Sequence, residues 1–347
     1  MTQIAPDVRL HVDAYREWLA EQHLPVLTGH FVADLNTVEL QPWALTGGRA
    51  AFIYLEGSEG TSGAYVCEIA PGQSLNPQQH MYEEIVYILE GRGASTVWGS
   101  NGKRHTFEWQ AGSLFAIPLN ARYQLHNASG SGAVRFVAVT TAPLLMNYFH
   151  NPKFIFDNTF SFEDRFGEDE DYFSRQGRMI DTRQLETNFV PDVRNLELLA
   201  WVERGGGGTN MSFQLSGNTF GAHVSEIAPG NYKKAHRHGG GAHILILSGD
   251  GYSLMWPEGG EKVHVDWKPG AFFSPPDIWW HQHLNISDSP ARYLAFRWGS
   301  RQFSMPRLFQ PDKRLGSGKS QIEYEEEEPE IRRDFDAAHA NWQRTAH

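Results

Sequence analysis

The 347-residue sequence has almost no cysteine, no excess of positive charge and no long hydrophobic run. Its single cysteine, Cys67, cannot form a disulfide bond within the chain. Lysine and arginine (30) are outnumbered by aspartate and glutamate (41), so the formal net charge is −11 and nucleic acid is not an expected partner. No apolar run approaches the ~20 residues that cross a bilayer, and the N-terminus does not resemble a signal peptide. We therefore predict a cytoplasmic protein that binds neither nucleic acid nor a membrane.

An internal repeat divides the chain into two similar halves. The pentapeptide EIAPG occurs at Glu68–Gly72 and again 158 residues later at Glu226–Gly230. The same shift aligns other positions of the two halves: His80 with His238, Gly112 with Gly270, Pro118 with Pro276, and Asn127 with Asn285. Because glycine and proline set the positions of turns, this ungapped match indicates two copies of one domain.

Each copy consists of short apolar or alternating segments separated by Gly, Pro and Asn, such as EIVYILEG in the first and HILILSG in the second. Strands at this spacing predict an all-β fold of two tandem barrels, with helices at the periphery. We predict an N-terminal helical arm at 1–40, a first barrel at 41–146, a linker at 147–195, a second barrel at 196–305, and an acidic tail with a C-terminal helix at 306–347.

The segments outside the barrels suggest how the chain assembles. Helical periodicity near Tyr15–Leu19 and Phe335–Trp342 predicts apolar helix faces. We expect these faces to contribute to a homodimer or higher homo-oligomer. The run EYEEEEPE at Glu323–Glu330 is predicted to be a solvated part of the tail.

Histidine is concentrated in the second copy, where seven of the 16 histidines lie between residues 223 and 283. His236 and His238 are two residues apart, which places both imidazoles on one face of a strand. His281 adds a third imidazole from a later strand. Three imidazoles at these positions predict a site for a divalent transition metal.

The two histidine segments resemble the two motifs of the cupin superfamily, G-x5-H-x-H-x3/4-E-x6-G and G-x5-P-x-G-x2-H-x3-N. His236, His238 and His281 fall on the three histidine positions. The sequence departs from the motifs at Ala242, in place of the acidic residue, and at Ile278, in place of the second glycine of the second motif. The resemblance implies two cupin barrels, each a double-stranded β-helix or jelly roll, with three histidines as metal ligands.

Two further histidines could join this site. His283 shares a strand face with the third ligand, so it can be a fourth ligand, a catalytic base or a hydrogen-bonding neighbour, and we take it as the catalytic candidate. His243 has the opposite parity to Ala242 and is expected to point away, although the variable spacing of the motif leaves a fourth ligand there open. His223 and His264 are interpreted as structural.

The first copy lacks the complete set of histidines. Gln78 and Tyr123 stand at two of the three histidine positions, and only His80 and Glu84 keep metal-binding chemistry. Because two such ligands seldom hold a divalent ion, we predict that the N-terminal barrel is a structural or dimer-forming copy without metal.

Three neutral ligands leave the charge of the metal uncompensated and several coordination positions open, which favours a small anionic substrate. The all-histidine site resembles that of the gentisate, salicylate and hydroxynaphthoate 1,2-dioxygenase family of bicupins, although that family mainly uses its N-terminal barrel. The resemblance implies an Fe(II)-dependent dioxygenase, a non-haem oxidoreductase that uses O2 and acts on a hydroxylated aromatic carboxylate or a related enolic chelator. Two alternatives stay open: an isomerase, lyase or decarboxylase with Mn, Ni or Zn, and a small-molecule-binding protein without turnover.

Such a substrate needs an apolar slot and a cation for its carboxylate. Trp256 and Trp279 are predicted to supply the slot. Arg297 lies in RYLAFRW between apolar residues, where a guanidinium needs a partner, and is predicted to bind the carboxylate.

Overall fold

The structure, a computed structural model, describes residues 11–167, 169–174, 176–300, 302–303 and 319–345. These residues form two jelly rolls in tandem, called here the N-terminal barrel and the C-terminal barrel, with helices at the periphery. Each barrel consists of a larger and a smaller sheet that enclose an apolar interior. The predicted all-β class and the tandem arrangement are confirmed.

The secondary structure follows the two halves of the chain. The strands of the first half are β1 (Val26–Leu27), β2 (Phe31–Val32), β3 (Gln41–Pro42), β4 (Arg49–Ile53), β5 (Gly63–Ile69), β6 (Glu84–Glu90), β7 (Arg92–Trp98), β8 (Arg104–Gln110), β9 (Leu114–Ile117), β10 (Arg122–Asn127) and β11 (Val134–Thr140). Those of the second half are β12 (Arg178–Asp181), β13 (Gln184–Glu186), β14 (Phe189–Val190), β15 (Leu199–Ala200), β16 (Thr209–Gln214), β17 (Phe220–Ile227), β18 (Asn231–Tyr232), β19 (His243–Ser248), β20 (Gly251–Trp256), β21 (Val263–Trp267), β22 (Phe272–Phe273), β23 (Trp280–Asn285) and β24 (Ala291–Trp298). The helices are α1 (Ala14–Glu21), α2 (Ala142–Phe149), α3 (Pro152–Phe156) and α4 (Pro329–Thr345), with a 3-10 turn at Val202–Arg204.

The two barrels share one topology. In the N-terminal barrel the larger sheet has the order β1–β4–β5–β11–β6–β9–β14, with β3 beside β4, and the smaller sheet has the order β10–β7–β8. In the C-terminal barrel the orders are β12–β13–β16–β17–β24–β19–β22–β2, with β15 beside β16, and β18–β23–β20–β21. Neighbouring strands are mostly antiparallel.

Burial along the strands shows which surfaces face solvent. Strand β8 alternates between exposed and buried residues, as expected where one face covers a core and the other faces water. The central strands of the larger sheets, such as β5, β11 and β17, are buried on both faces because the two sheets pack against each other. In β24, Tyr293 and Ala295 face the interior of the C-terminal barrel, whereas Leu294 and Phe296 face the N-terminal barrel. The period of two thus separates interior residues from residues of the inter-barrel core.

The segment that precedes each barrel adds a strand to the other barrel. Phe31 of β2 pairs with Phe273 in the C-terminal barrel, and Phe189 of β14 pairs with Phe115 in the N-terminal barrel. Phe31 and Phe189 are 158 residues apart, which is the shift of the internal repeat, so the two exchanges are equivalent. Parts of the predicted arm and linker therefore serve as sheet strands that tie the barrels together.

The apolar faces of the terminal helices are covered within the chain. Tyr15, Trp18 and Leu19 of α1 are buried against the N-terminal barrel, and Phe335 of α4 packs on Tyr232 of the C-terminal barrel. The expectation that these faces form a contact between subunits is therefore wrong. The homo-oligomer itself stays a prediction.

The acidic run 323–330 packs against the C-terminal barrel at several points. The Tyr324 hydroxyl donates to the carbonyl oxygen of Tyr232 at 2.6 Å. Glu327 accepts hydrogen bonds from the Tyr232 hydroxyl and from the side-chain amide of Gln282. The interpretation of this run as solvated is confirmed for Glu325, Glu326 and 328–330, which are exposed, and corrected for Tyr324 and Glu327. Charge density along a sequence does not reveal hydrogen-bonding partners on a neighbouring sheet.

Candidate metal centre

The structure brings His236, His238 and His281 together. One ring nitrogen of each lies within 4.8 Å of the others. The ring centroid of His281 is 4.3 Å from that of His236 and 4.6 Å from that of His238. Within the described ranges, no other group of three metal-ligating side chains meets in this way.

Backbone pairing places two of the three ligands side by side. His236 and His281 form an antiparallel bridge, in which the His236 amide donates to the His281 carbonyl at 3.0 Å and the reverse bond measures 2.8 Å. Side chains that oppose each other in such a pair lie close together on one face. His238 follows His236 by two residues and reaches the same space.

Hydrogen bonds fix the tautomer of all three imidazoles. The Nδ1 atoms donate to backbone carbonyl oxygens: Lys234 for His236 at 3.2 Å, Gly239 for His238 at 2.9 Å, and Trp279 for His281 at 3.2 Å. Because a carbonyl can only accept, each Nδ1 carries the proton and each Nε2 carries the lone pair. The Nε2 atom of His281 is buried and makes no hydrogen bond to the described residues. The donor set therefore fits a divalent transition metal bound through Nε2.

Burial keeps these imidazoles neutral. Loss of hydration lowers the pKa of His236 and of His281 well below the ordinary value, with further lowering by neighbouring histidines. Burial also lowers the pKa of His238 to about 4. Near neutral pH the three side chains can bind a metal without first releasing protons.

His283 lies beside the three-histidine group but does not belong to it. Its ring centroid is 5.7 Å from that of His281. Its Nδ1 atom lies 2.8 Å from the Ser253 hydroxyl, which also accepts a hydrogen bond from the Trp267 indole at 3.0 Å. Ser253 thus holds the ring, and burial lowers the pKa of His283 to about 3.

His243 lies on the other face of its strand, as its parity predicts. The Ser62 hydroxyl donates to the Gly241 carbonyl at 2.9 Å. With its single proton used there, the Ser62 oxygen accepts from His243 Nε2 at 3.1 Å. His243 also stacks on Phe272, with ring centroids 5.2 Å apart. It lies between the barrels and away from the three ligands.

The predicted substrate residues separate into two groups. Arg297 lies on the interior side of β24, where its Nε donates to His223 Nδ1 at 3.1 Å. Trp279 packs against the interior core of the C-terminal barrel. Trp256 points outward, because alternation along β20 directs Met255 into the barrel and its neighbour out. Trp256 is covered by the C-terminal segment, so its assignment to the substrate slot is corrected.

Sequence reasoning missed two interior residues. His223, interpreted as structural, is the partner of Arg297. Lys233 is fully buried, donates to the Tyr293 hydroxyl at 3.1 Å and lies 5.2 Å from the centroid of the Trp201 ring. The signal that could have found Lys233 is the repeat, since the first copy has the apolar Leu75 at this position.

The corresponding place in the N-terminal barrel contains a closed hydrogen-bond network. The hydroxyls of Tyr65 and Tyr123 donate to the Glu84 carboxylate at 3.2 Å and 3.1 Å. His80 Nε2 lies 3.4 Å from the same carboxylate, and its Nδ1 donates to the Tyr82 carbonyl at 3.0 Å. The Glu84 carboxylate thus already has hydrogen-bonding partners among the side chains of the N-terminal barrel.

Comparison with known proteins agrees with this architecture. Residues 65–140 match the family model described as cupin domain. The fold is a cupin fold. A variant of Bacillus subtilis oxalate decarboxylase is 15% identical and matches with a TM-score of 0.52 over 84% of this chain and 86% of that chain. A Bacillus subtilis oxalate decarboxylase with Mn(II) centres is also 15% identical, with a TM-score of 0.53 over 91% and 94%.

A third solved structure completes this set. The formate complex of Lactobacillus farciminis oxalate decarboxylase is 14% identical and matches with a TM-score of 0.53 over 89% of this chain and 95% of that chain. No curated protein sequence matches the chain. At these identities the structural similarity shows the fold of two tandem cupin barrels.

The comparisons also correct the expected class of enzyme. The cupin part of the sequence resemblance is supported, but the similar bicupins are oxalate decarboxylases and not ring-cleaving dioxygenases. The assignment as a non-haem oxidoreductase is therefore wrong, and iron is not supported as the preferred metal. The physical reason is that histidine spacing determines a ligand set without determining the reaction performed on it.

Among the described residues, no helix is both long and apolar enough to cross a bilayer.

Proposed function

We propose that the protein is a metal-dependent lyase of the decarboxylase type that acts on a small carboxylate. The observation that carries the proposal is the convergence of three imidazoles whose Nδ1 atoms are fixed by carbonyl groups. His236, His238 and His281 would hold the metal ion. The similarity to a bicupin with Mn(II) centres supports Mn(II) as this ion.

When bound, a divalent ion would act as a Lewis acid that polarises the carboxylate and carbonyl oxygens of a chelating substrate. The interior of the C-terminal barrel favours such an anion. Lys233 places positive charge near His283, and Arg297 places positive charge near His238. Among the described residues the buried carboxylates are Glu83 and Glu84, and both belong to the first half of the chain.

The surrounding side chains supply the proton chemistry of the proposal. Loss of CO2 leaves an electron pair on carbon that must accept a proton. Ser253 holds the His283 ring at Nδ1, and the opposite nitrogen, Nε2, would pass to this carbon a proton that is replaced from water. Lys233 donates to the Tyr293 oxygen, so the Tyr293 hydroxyl proton is available to a second acceptor in the interior. Trp279 contributes apolar surface.

The test is CO2 release by protein loaded with Mn(II). Oxalate, malonate and 2-oxo acids are supplied one at a time, with and without O2, and both CO2 and O2 are measured. We expect CO2 from at least one of these acids, dependent on the metal and without net O2 consumption. His283→Gln should keep the metal and lose about 100-fold in turnover, whereas the exposed control His264→Gln should keep both. Binding of these acids without any CO2 would contradict the lyase and favour a small-molecule-binding protein.

A further inference from the structure

We infer that the N-terminal barrel completes the metal centre of the C-terminal barrel, with Ser62 as a positioning residue for the ligand His238. Ser62 acts through the three glycines that follow His238, at 239–241, called here the glycine loop. The inference rests on the proposed function, because it concerns the metal site of that function, but it does not depend on the reaction. It assigns a part in metal binding to the barrel that lacks the three histidines.

The glycine loop supplies the acceptor that orients His238. The Nδ1 atom of His238 donates to the carbonyl oxygen of Gly239 at 2.9 Å. The corresponding acceptors of the other two ligands are carbonyl groups that precede the ligands by two residues in the chain. Glycine has more conformational freedom than any other residue. The direction in which His238 presents its Nε2 lone pair therefore depends on what holds the glycine loop in place.

The N-terminal barrel binds both polar backbone atoms of Gly241, at the far end of the glycine loop. The Gly241 amide donates to the Gly57 carbonyl at 3.2 Å. The Gly241 carbonyl accepts from the Ser62 hydroxyl at 2.9 Å. Ser62 is fully buried, so solvent does not compete for this bond. The end of the loop is thus held from outside its own barrel.

The turn at 57–62, which contains Ser62, is itself fixed and fits closely against the glycine loop. Within this turn the Ser58 carbonyl accepts from the backbone amides of Thr61 and Ser62, each at 3.1 Å, and from the Thr61 hydroxyl at 2.8 Å. Gly241 has φ +82°, and a Cβ at that position would lie 2.4 Å from Thr61 Oγ1. The two segments therefore approach to a distance that only glycine permits.

The other copy has the equivalent contact without a metal site behind it. The 158-residue shift of the internal repeat maps Gly241 onto Glu83. It also maps Ser62 onto Phe220. The Glu83 carboxylate accepts from the Phe220 backbone amide at 2.8 Å. One substitution can thus weaken the contact between the barrels at either of two equivalent places, and only one of them lies next to the three histidines.

The experiment measures Mn(II) affinity in the full chain by isothermal titration calorimetry. We expect Ser62→Ala to bind Mn(II) at least about tenfold more weakly than the parent, because a partner that orients a ligand is lost. Ser62→Cys, which keeps a weaker donor, should lose a smaller part of the affinity. Glu83→Ala is the matched control, which should unfold at a lower urea concentration and yet bind Mn(II) as the parent does. Circular dichroism checks the fold of each variant.

A double variant separates positioning of the loop from a packing defect at His243. Ser62→Ala also deprives His243 Nε2 of its acceptor. His243→Phe removes this donor, so the double variant Ser62→Ala and His243→Phe has no unpaired group there. We expect its Mn(II) affinity to stay low, because the Gly241 carbonyl still lacks its donor, and His243→Phe alone to bind as the parent does. The electron paramagnetic resonance spectrum of bound Mn(II), which reports ligand geometry, should change in Ser62→Ala and not in Glu83→Ala.

The outcomes distinguish the inference from the proposed function. Parent-like affinity in Ser62→Ala, or affinity restored in the double variant, would overturn the inference and leave the metal site standing. An equal loss in Glu83→Ala would overturn it as well, because the effect would then follow the whole contact between the barrels. Affinity that depends on Ser62 in a protein that releases no CO2 would uphold the inference and contradict the lyase reaction. No Mn(II) binding by the parent would overturn both.

Discussion

Gln78 and Tyr123 pair through their backbones in the N-terminal barrel as His236 and His281 do in the C-terminal barrel. The Gln78 amide donates to the Tyr123 carbonyl at 2.8 Å, and the reverse bond measures 2.9 Å. Both pairs are isolated antiparallel bridges. The backbone bridge that brings two of the ligand positions together is thus present in both copies, with different side chains.

The double substitution Gln78→His and Tyr123→His should create a second metal site in the N-terminal barrel. With His80 and Glu84 it completes three imidazoles and a carboxylate on the backbone that the other copy uses. The expected result is a rise from about one to about two Mn(II) ions per chain, measured by elemental analysis. The matched variant Gln78→Ala and Tyr123→Phe should stay at about one. An unchanged metal content in the histidine variant would show that Tyr65 keeps Glu84 unavailable.

Substitution of His238→Ala should remove stoichiometric metal from the protein. It leaves two imidazoles, which hold a divalent ion far more weakly than three do. Elemental analysis after dialysis is the measurement, and circular dichroism checks that the fold is kept. His264→Ala serves as the control because His264 is exposed, hydrogen-bonds to Asp266 and stacks on Tyr252 away from the three ligands. Full metal content in His238→Ala would refute the assignment of ligands.

His243 should make the stability of the protein depend on pH. Burial lowers its pKa from 6.5 to about 3. As the pH falls through about 6.5, the unfolded chain takes up a proton at this residue and the folded chain does not, so stability is lost on the acid side. Between pH 7.5 and pH 5 this loss amounts to about 2 kcal/mol of the free energy of unfolding.

Urea denaturation of the metal-free protein at the two pH values measures this contribution. In His243→Gln, which keeps a donor for Ser62, the loss between pH 7.5 and pH 5 should be smaller by about 2 kcal/mol. The same pH dependence in both proteins would contradict the prediction.

Glu83 should be a strong contributor to the contact between the barrels. Its carboxylate accepts from the backbone amides of Thr219 and Phe220 at 3.0 Å and 2.8 Å, and from Arg165 at 3.1 Å. Glu83→Ala would leave these donors without this acceptor and should cost about 3 kcal/mol of the free energy of unfolding. Thermal and urea denaturation test this, with the exposed Glu90→Ala as a control that should stay within about 0.5 kcal/mol of the parent. Equal losses of unfolding free energy in the two variants would contradict this role of Glu83.

The sequence predicted features that depend on local periodicity. Alternation and turn residues predicted strands, because side chains of a strand point to opposite faces in turn. The same parity correctly separated His243 from the group of His236 and His238. The aligned glycines and prolines predicted two copies because turns constrain backbone conformation within a few residues.

Features that depend on contacts between distant segments were missed. Nothing local in the sequence indicates that the strand of Phe31 pairs with the strand of Phe273. The same holds for Ile322, which packs over Trp256. His223 was interpreted as structural because its partner, Arg297, lies on another strand. The helix face near Tyr15 was predicted to contact a second subunit, whereas the N-terminal barrel of the same chain covers it.

The sequence by itself determined the tandem β architecture and the ligand spacing of His236, His238 and His281, because both depend on short-range periodicity and on turns. The tertiary structure alone decided which nitrogen of each imidazole carries the proton, that His223 orients Arg297, and which aromatic residues face the site. These properties arise where segments far apart in the chain meet, and there burial and the available hydrogen-bond acceptors decide the chemistry of each side chain.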